Sequence, residues 1–442
     1  MLALGGLETD GPPEKDVVSF FGTEKRPQSS RPKIPTACRS SSIHEFPIVQ
    51  QRFPVRPKTG QSPSNISQIR LKFPTRVFQK KIARSSPNPP EWSFYLALLH
   101  DKSAMKAIVY DAPRQFTYRD VETPKIQPDE ILLRVDACGL CGTDVHVHEG
   151  DFGPRFPLTP GHEFSGEIVE LGSEVKGLKI GQRATASTTM PCGECFYCKR
   201  GDFLECENLG GIGVEVNGAF AEYIKLRSNL VFPIDKLSFR QAVMIEPTAC
   251  ACHGMEVLAM KPGSNVLLMG AGPTGQVVGQ LLKLNGASHL TVAAPAGPKL
   301  DLIARLAADD VVAIDRKDPE VHRRRLRELS PTGFDYVIEA TGSTQLLEDA
   351  MSFVRRRGTV LVYAVYPDHA LAQIKPADIM RRELTIKGSF AQMNSFPRAL
   401  DYLESGKIKV DELVTHEIPL QDYQKALELA WARQGIKIAI IP

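Results

Sequence analysis

The stretch NVLLMGAGPTGQVVGQ, residues 265–280, joins an apolar run to a glycine-rich turn and then to a helical pattern. The rhythm repeats downstream: HLTVAA then KLDLIARLAA, DVVAID then PEVHRRRLREL, FDYVIEAT then QLLEDAMSFV, followed by GTVLVYAV and LTIKGSF. Apolar strands that alternate with helices fold into a parallel sheet covered on both faces. The expectation is therefore an α/β, doubly wound Rossmann domain over residues 256–394. Gly270, Gly272 and Gly275 form a G-x-G-x-x-G between the first strand and its helix, with Pro273 and Thr274 inside it. The first glycine allows the tight turn, the second lets backbone approach a pyrophosphate, and the third lets helix pack on strand. Backbone N–H groups and the helix dipole then meet the phosphates of a dinucleotide.

A fold of this kind that selects NAD usually presents an acid some 20 residues on, at the end of the second strand. Here Ala293, Ala294 and Pro295 stand there. Nothing at these positions repels a 2′-phosphate and Lys299, a few residues on, attracts one, which favours NADP while leaving NAD open.

Upstream the pattern changes. From Met105 the segments KAIVYD, EILLRVDACG, FSGEIVELG and AFAEYIKL are broken by Pro, Gly and Asp clusters, the mark of short strands in an all-β portion. This portion is expected over 105–255, with 395–442 returning to complete it. Residues 1–104 are rich in Pro, Ser and Arg, without apolar period, and read as a disordered extension. They hold 16 Lys and Arg against 8 Asp and Glu, while the rest of the chain holds 38 against 43. A mildly acidic body argues against nucleic acid as partner, and the lack of any apolar run of about eighteen residues argues against a membrane. Early acidic residues disfavour a transit peptide, and Met105 reads equally well as a start. A cytoplasmic protein is expected.

In a reducing compartment, close-spaced cysteines are more often metal ligands than bridges. Cys192, Cys195, Cys198 and Cys206 lie within fifteen residues, as C-x2-C-x2-C-x7-C. Four thiolates saturate a tetrahedral zinc and leave no open position, which makes the lobe a structural site. An iron–sulfur cluster or a redox pair fits less well, since no βαβ pattern surrounds it. The open site is expected from CGLCGTDVHVHEG and TPGHEFSGEIV, where Cys141, His162 and Glu163 offer a thiolate, an imidazole and a carboxylate with a position left for substrate oxygen. Cys138 belongs to the same stretch, but only one of the two cysteines need face the metal.

Taken jointly, GLCGTDVH, PLTPGHEFSGEIVELG, the four-cysteine lobe, IEPTAC and GAGPTG resemble, in this order, the zinc-dependent medium-chain alcohol and polyol dehydrogenases, over residues 105–442. The branch most similar is that of sorbitol and arabinitol dehydrogenases, with fungal-type D-arabinitol dehydrogenases nearest. The resemblance implies a GroES-like, mostly-β catalytic domain beside the Rossmann domain, a catalytic and a structural zinc per chain, and a homodimer or homotetramer. It makes Cys141, His162 and Glu163 the catalytic-metal ligands, with Glu246 of IEPTAC beside the metal to hold water or substrate. Thr143 matches the hydroxyl that receives the alcohol proton, and His146 the end of the proton relay. Two departures stand out. Sorbitol dehydrogenases carry an arginine where Ala391 follows Phe390, and the NAD-linked members carry the acid missing after the second strand.

The implied reaction is reversible oxidation of a polyol to the ketose, an arabinitol-like pentitol being favoured over sorbitol, xylitol or another secondary alcohol. A metal lowers the hydroxyl pKa and a dinucleotide accepts hydride. A zinc deaminase would need H-x-E before the P-C-x-x-C of MPCGEC, and Glu163 directly follows His162 instead. A zinc-lobe nucleic-acid module is opposed by the acidic body. A zinc-free reductase of the same family would have no reason to hold Cys141, His162 and Glu163 together.

Overall fold

The computed structural model describes residues 103–442. The extension expected over 1–104 lies outside them but for its last two residues, and Ala104 already begins a strand. Strands β1 (Ala104–Ala112) and β2 (Gln115–Glu122) form an antiparallel pair. Then come β3 (Glu130–Leu140), helix α1 (Gly142–Glu149), β4 (Glu163–Leu171), β5 (Arg183–Ala186), β6 (Thr189–Met190), α2 (Phe196–Arg200), β7 (Gly210–Gly211), β8 (Tyr223–Arg227) and β9 (Val231–Pro233). Helices α3 (Phe239–Ala242) and α4 (Ile245–Leu258) lead into the second half.

That half runs β10 (Asn265–Met269), α5 (Pro273–Leu284), β11 (His289–Ala294), α6 (Pro298–Leu306), β12 (Asp310–Ala313), α7 (Pro319–Leu329), β13 (Phe334–Glu339), α8 (Thr344–Phe353), β14 (Val354–Val362), α9 (Pro376–Arg382) and β15 (Thr385–Gly388). The chain closes with α10 (Phe396–Glu404), β16 (Val414–Pro419), α11 (Tyr423–Trp431) and β17 (Lys437–Ile441).

The six strands of the second half pair in parallel in the order β12-β11-β10-β13-β14-β15. The order reverses direction between β10 and β13, and this switch point opens a crevice at the C-terminal ends of the strands. Successive residues of β10 point to opposite faces, and both faces are dry. Val266 and Leu268 join one core with α4, α5 and α10, while Leu267 and Met269 join another with α8. That is why these strands read as continuous apolar runs. β14 begins at Val354, four residues before the expected GTVLVYAV, because Arg357 at φ 61 and Gly358 form an irregularity that the apolar pattern does not mark.

The other sheet runs β16-β17-β3-β4-β5-β9, with β8 also on β3. β17 thus lies beside β3, with Ala439 opposite Gly139 and Ile440 opposite Cys138, and β16 lies outside β17. The interspersed α4 escapes a periodicity reading because it is buried nearly all round, through Ile245, Ala249, Cys252 and Met255 among others. A helix without a polar face shows no amphipathic stripe.

Candidate active site

Register brings the open-site residues together. In the antiparallel pair of β3 and β4, Gly139 faces Glu163 and Cys138 faces Phe164, so the end of β3 delivers Cys141 to the start of β4. A Cβ at Gly139 would lie 2.2 Å from a Glu163 carboxylate oxygen, so a side chain there would push the carboxylate off Lys437. Cys141 caps α1, and Asp144 in its first turn accepts the Cys141 N–H at 2.8 Å and the Gly161 N–H at 3.2 Å. One ligand atom from each of Cys141, His162 and Glu163 lies within 4.8 Å of the others. Cys138 instead is sealed in the core, its thiol held by backbone, with the Gly139 carbonyl at 3.8 Å.

His162 is 8% exposed, and its Nδ1 has no hydrogen-bond partner, with a buried carboxylate as its nearest charge. Burial lowers its pKa, but Asp144 and Cys141 outweigh that and hold it well above its ordinary value. A dication at this point reverses the preference, since an imidazole ligand must be neutral. Asp144, fully buried, has Oδ1 3.7 Å from Nδ1, a charge contact on that side of the ring. Glu163 is 1% exposed and both of its oxygens accept from Lys437 Nζ, at 2.7 and 2.5 Å. Each carboxylate oxygen keeps a further lone pair, so the ion pair leaves room for a metal. Burial also raises the pKa of Glu246, which accepts from the Cys250 thiol at 3.2 Å.

Thr143 Oγ1 stands 3.7 Å from Cys141 Sγ. His146, partly exposed, lies 3.7 Å from Asp151 and has no hydrogen bond to Thr143 among the described contacts. Phe390 pairs with Phe152, ring centroids 6.3 Å apart, and Ala391 adopts φ 46.

The four-cysteine lobe is closed. All four sulfurs lie within 4.8 Å of one another, and Cys192–Cys198 and Cys195–Cys206 approach to 4.0 and 3.9 Å. These are not disulfides. Four bonds of about 2.3 Å in a tetrahedron separate sulfurs by about 3.8 Å, so the donor set fits zinc. Backbone N–H groups already converge on it, Cys192 on the Cys206 sulfur at 3.2 Å and Cys195 on that of Cys192 at 3.4 Å. Such donors pull Cys195 down to about 6, while burial pushes Cys198 up to about 12.

At the switch point, Gly270 adopts φ 120, and a Cβ there would strike the Ala340 carbonyl at 2.7 Å. A Cβ on Gly275 would strike the Gly270 carbonyl at 2.4 Å, whereas Gly272 faces open space at the cap of α5. Pro273 fills the first position of α5 and Thr274 the next. Gln276, fully buried, donates to the Ala271 carbonyl at 2.9 Å and the Lys299 carbonyl at 2.7 Å, tying the turn to α6. Lys299 is half-buried, and burial first and Arg433 second lower its pKa. Ala294 ends β11 with no acid on its strand end. Sequence reasoning missed Asp144, Lys437 and Gln276. Asp144 alone carried a local signal, as an acid in the first turn after a capping residue.

The chain matches the family model described as the alcohol dehydrogenase GroES-like domain over residues 127–236 and that described as zinc-binding dehydrogenase over 273–405. D-arabinitol dehydrogenase 1 of Uromyces fabae is 47% identical over 339 residues, covering 76% of this chain and 97% of that protein. Sorbitol dehydrogenase of Bacillus subtilis is 30% identical over 346 residues, again 76% and 97%. Among solved structures, one described as a zinc-binding dehydrogenase from Sinorhizobium meliloti, bound to NADP, superposes with a TM-score of 0.71 at 32% identity, over 77% of this chain and all of that one. No helix among the described residues is long and apolar enough to cross a membrane. With a GroES-like sheet on one side, a Rossmann sheet on the other and relatives that span nearly their full length, the chain belongs to the zinc-binding alcohol dehydrogenase family.

Proposed function

We propose that this protein is a zinc-dependent, NAD(P)-linked dehydrogenase that interconverts a polyol and its ketose, with an arabinitol-like pentitol preferred. The observation that carries the reading is the convergence of Cys141, His162 and Glu163, where β3 ends and β4 begins, with Glu246 beside them. The similarity to D-arabinitol dehydrogenase 1 supports the pentitol. Ala391, in place of the arginine that the resemblance associates with sorbitol, supports it as well.

Cys141, His162 and Glu163 would hold one zinc, and Cys192, Cys195, Cys198 and Cys206 the other. Bound at the open site, zinc supplies the Lewis acidity that lets an alcohol lose its proton near neutral pH, and a bound nicotinamide dinucleotide supplies the hydride acceptor. Thr143 Oγ1 would take the proton, and the partly exposed His146 ring, 3.7 Å from Asp151, would hand it to solvent after it has crossed an intervening hydroxyl or water, since the two side chains share no hydrogen bond. Glu246 accepts hydrogen bonds from further substrate hydroxyls. Gly270, Gly272, Pro273, Thr274 and Gly275 receive the pyrophosphate. We place the catalytic domain at 105–255 with 395–442, the Rossmann domain at 256–394, and the protein in the cytoplasm as a homodimer or homotetramer.

NADP is the favoured nucleotide, since Lys299 and Arg433 supply positive charge past Ala294. Ala294→Asp should shift the ratio of kcat/KM towards NAD by about tenfold or more, through repulsion of a 2′-phosphate and a hydrogen bond to a 2′-hydroxyl. An unchanged ratio would place selectivity elsewhere. Asp144→Asn should weaken zinc retention at the open site by roughly 10- to 100-fold, read by metal analysis after graded chelation, with the structural zinc unaffected. The reading as a whole is tested by counting zinc per chain and following absorbance at 340 nm with pentitols and hexitols against both nucleotides. Two zincs and arabinitol-dependent reduction are expected; one zinc and no turnover would refute it.

A further inference from the structure

Helix α4 carries Glu246, Cys250 and Gly254 at steps of four, so the three share one face. Tyr363 directly follows β14 at the C-terminal edge of the parallel sheet, its N–H bonded to the Glu339 carbonyl at 3.0 Å. Its ring lies along that face of α4. A Cβ on Gly254 would come within 2.7 Å of Tyr363 Cε2 and 3.1 Å of Cδ2, so the absence of a side chain at 254 is what lets the ring occupy this place. Ser389 Oγ lies 3.6 Å from the same point, so β14 and the residue after β15 converge there. The ring therefore stands on the face of α4 that carries Glu246, the residue that borders the open metal site.

The Tyr363 hydroxyl is buried and no protein group bonds it, although the ring as a whole is only half-buried. A phenol both donates and accepts, and an unpaired one in a dry site is unfavourable unless a ligand completes it. Glu246 and Cys250, its neighbours on α4, already satisfy each other at 3.2 Å. We infer that Tyr363 is a specificity-determining residue whose hydroxyl hydrogen-bonds a substrate hydroxyl other than the one being oxidised, selecting polyols over simple secondary alcohols. The inference rests on the polyol reading above. It adds to Glu246 a second group that distinguishes a polyol from an alkyl alcohol, one that follows β14 and does not belong to α4. An alkyl alcohol brings no second oxygen and leaves the phenol unpaired, whereas a polyol satisfies it on binding.

The test compares the full chain with Tyr363→Phe, which retains the ring on Gly254. Arabinitol and butan-2-ol are each assayed at saturating nucleotide, and the nucleotide KM is measured separately. The ratio of kcat/KM for arabinitol to that for butan-2-ol is expected to fall roughly 10- to 100-fold, most of it in the arabinitol KM, with the nucleotide KM and the melting temperature at their wild-type values. Equal losses on both alcohols with a raised nucleotide KM would overturn the inference, assigning the hydroxyl to the nicotinamide carboxamide. An unchanged ratio would overturn it too. Wild-type protein that oxidises butan-2-ol but no polyol would instead refute the underlying polyol reading, and the two failures are distinguishable before the variant is made.

Discussion

Cys141→Ser is expected to lower kcat by a thousandfold or more, about 4 kcal/mol of transition-state stabilisation, in a protein that stays folded. Serine oxygen is a far poorer zinc ligand than a thiolate, so metal analysis should fall from two zincs per chain to one. The fold tolerates the change because the position is the cap of α1, where a serine side chain is favoured. The Asp144 carboxylate keeps its bonds to the backbone at 141 and 161. The closed lobe is out of reach of this substitution, so circular dichroism and melting should stay near wild type. Turnover that survived would remove the open site from the proposal altogether.

Cys195→Ala should do the reverse. It deletes one of four ligands that hold a lobe with little else inside it: of α2, only Cys198 is buried, while Phe196 and Tyr197 face outward. Three remaining thiols leave one of the four tetrahedral positions without a protein ligand, so the metal is held far less tightly. Melting should drop by roughly 10 °C, about 3 kcal/mol, with one zinc lost while the open site still binds its own. A melting curve identical to wild type would mean that the lobe is held by packing instead of metal.

The parts of the fold legible in the sequence are those that repeat or that depend on neighbours in the chain. The parallel sheet was readable because each strand is followed by its own helix, and the phosphate turn because Gly270 and Gly275 leave no space for a side chain. The cysteine lobe was readable because its four ligands lie within fifteen residues. Cys141, His162 and Glu163 were readable less directly, each weak alone and persuasive only in the order of the motifs around them. Of what sequence reasoning did not find, Asp144 and Gln276 lie on helices beside the motifs, whereas the rest comes from distant strands. Lys437 has no local mark, lying in an apolar strand where an ammonium looks like an interruption, and only the pairing of β17 with β3 explains it. Tyr363 reads as one more aromatic at the end of a strand until Gly254, on a helix with no polar face, shows where its ring rests. The relay is the least complete part, since Thr143 and His146 are near one another in sequence but are not joined by a hydrogen bond.

The Glu163–Lys437 pair spans 274 residues and is sealed from water on both sides. An uncompensated carboxylate in that position is strongly unfavourable, so the start of β4 cannot settle while β17 is undocked. During synthesis, then, the two halves of the open metal site wait for one of the last strands to emerge. Zinc capture there becomes a report that the chain has been made and folded as far as β17, whereas the cysteine lobe, complete by residue 206, can take its metal much earlier.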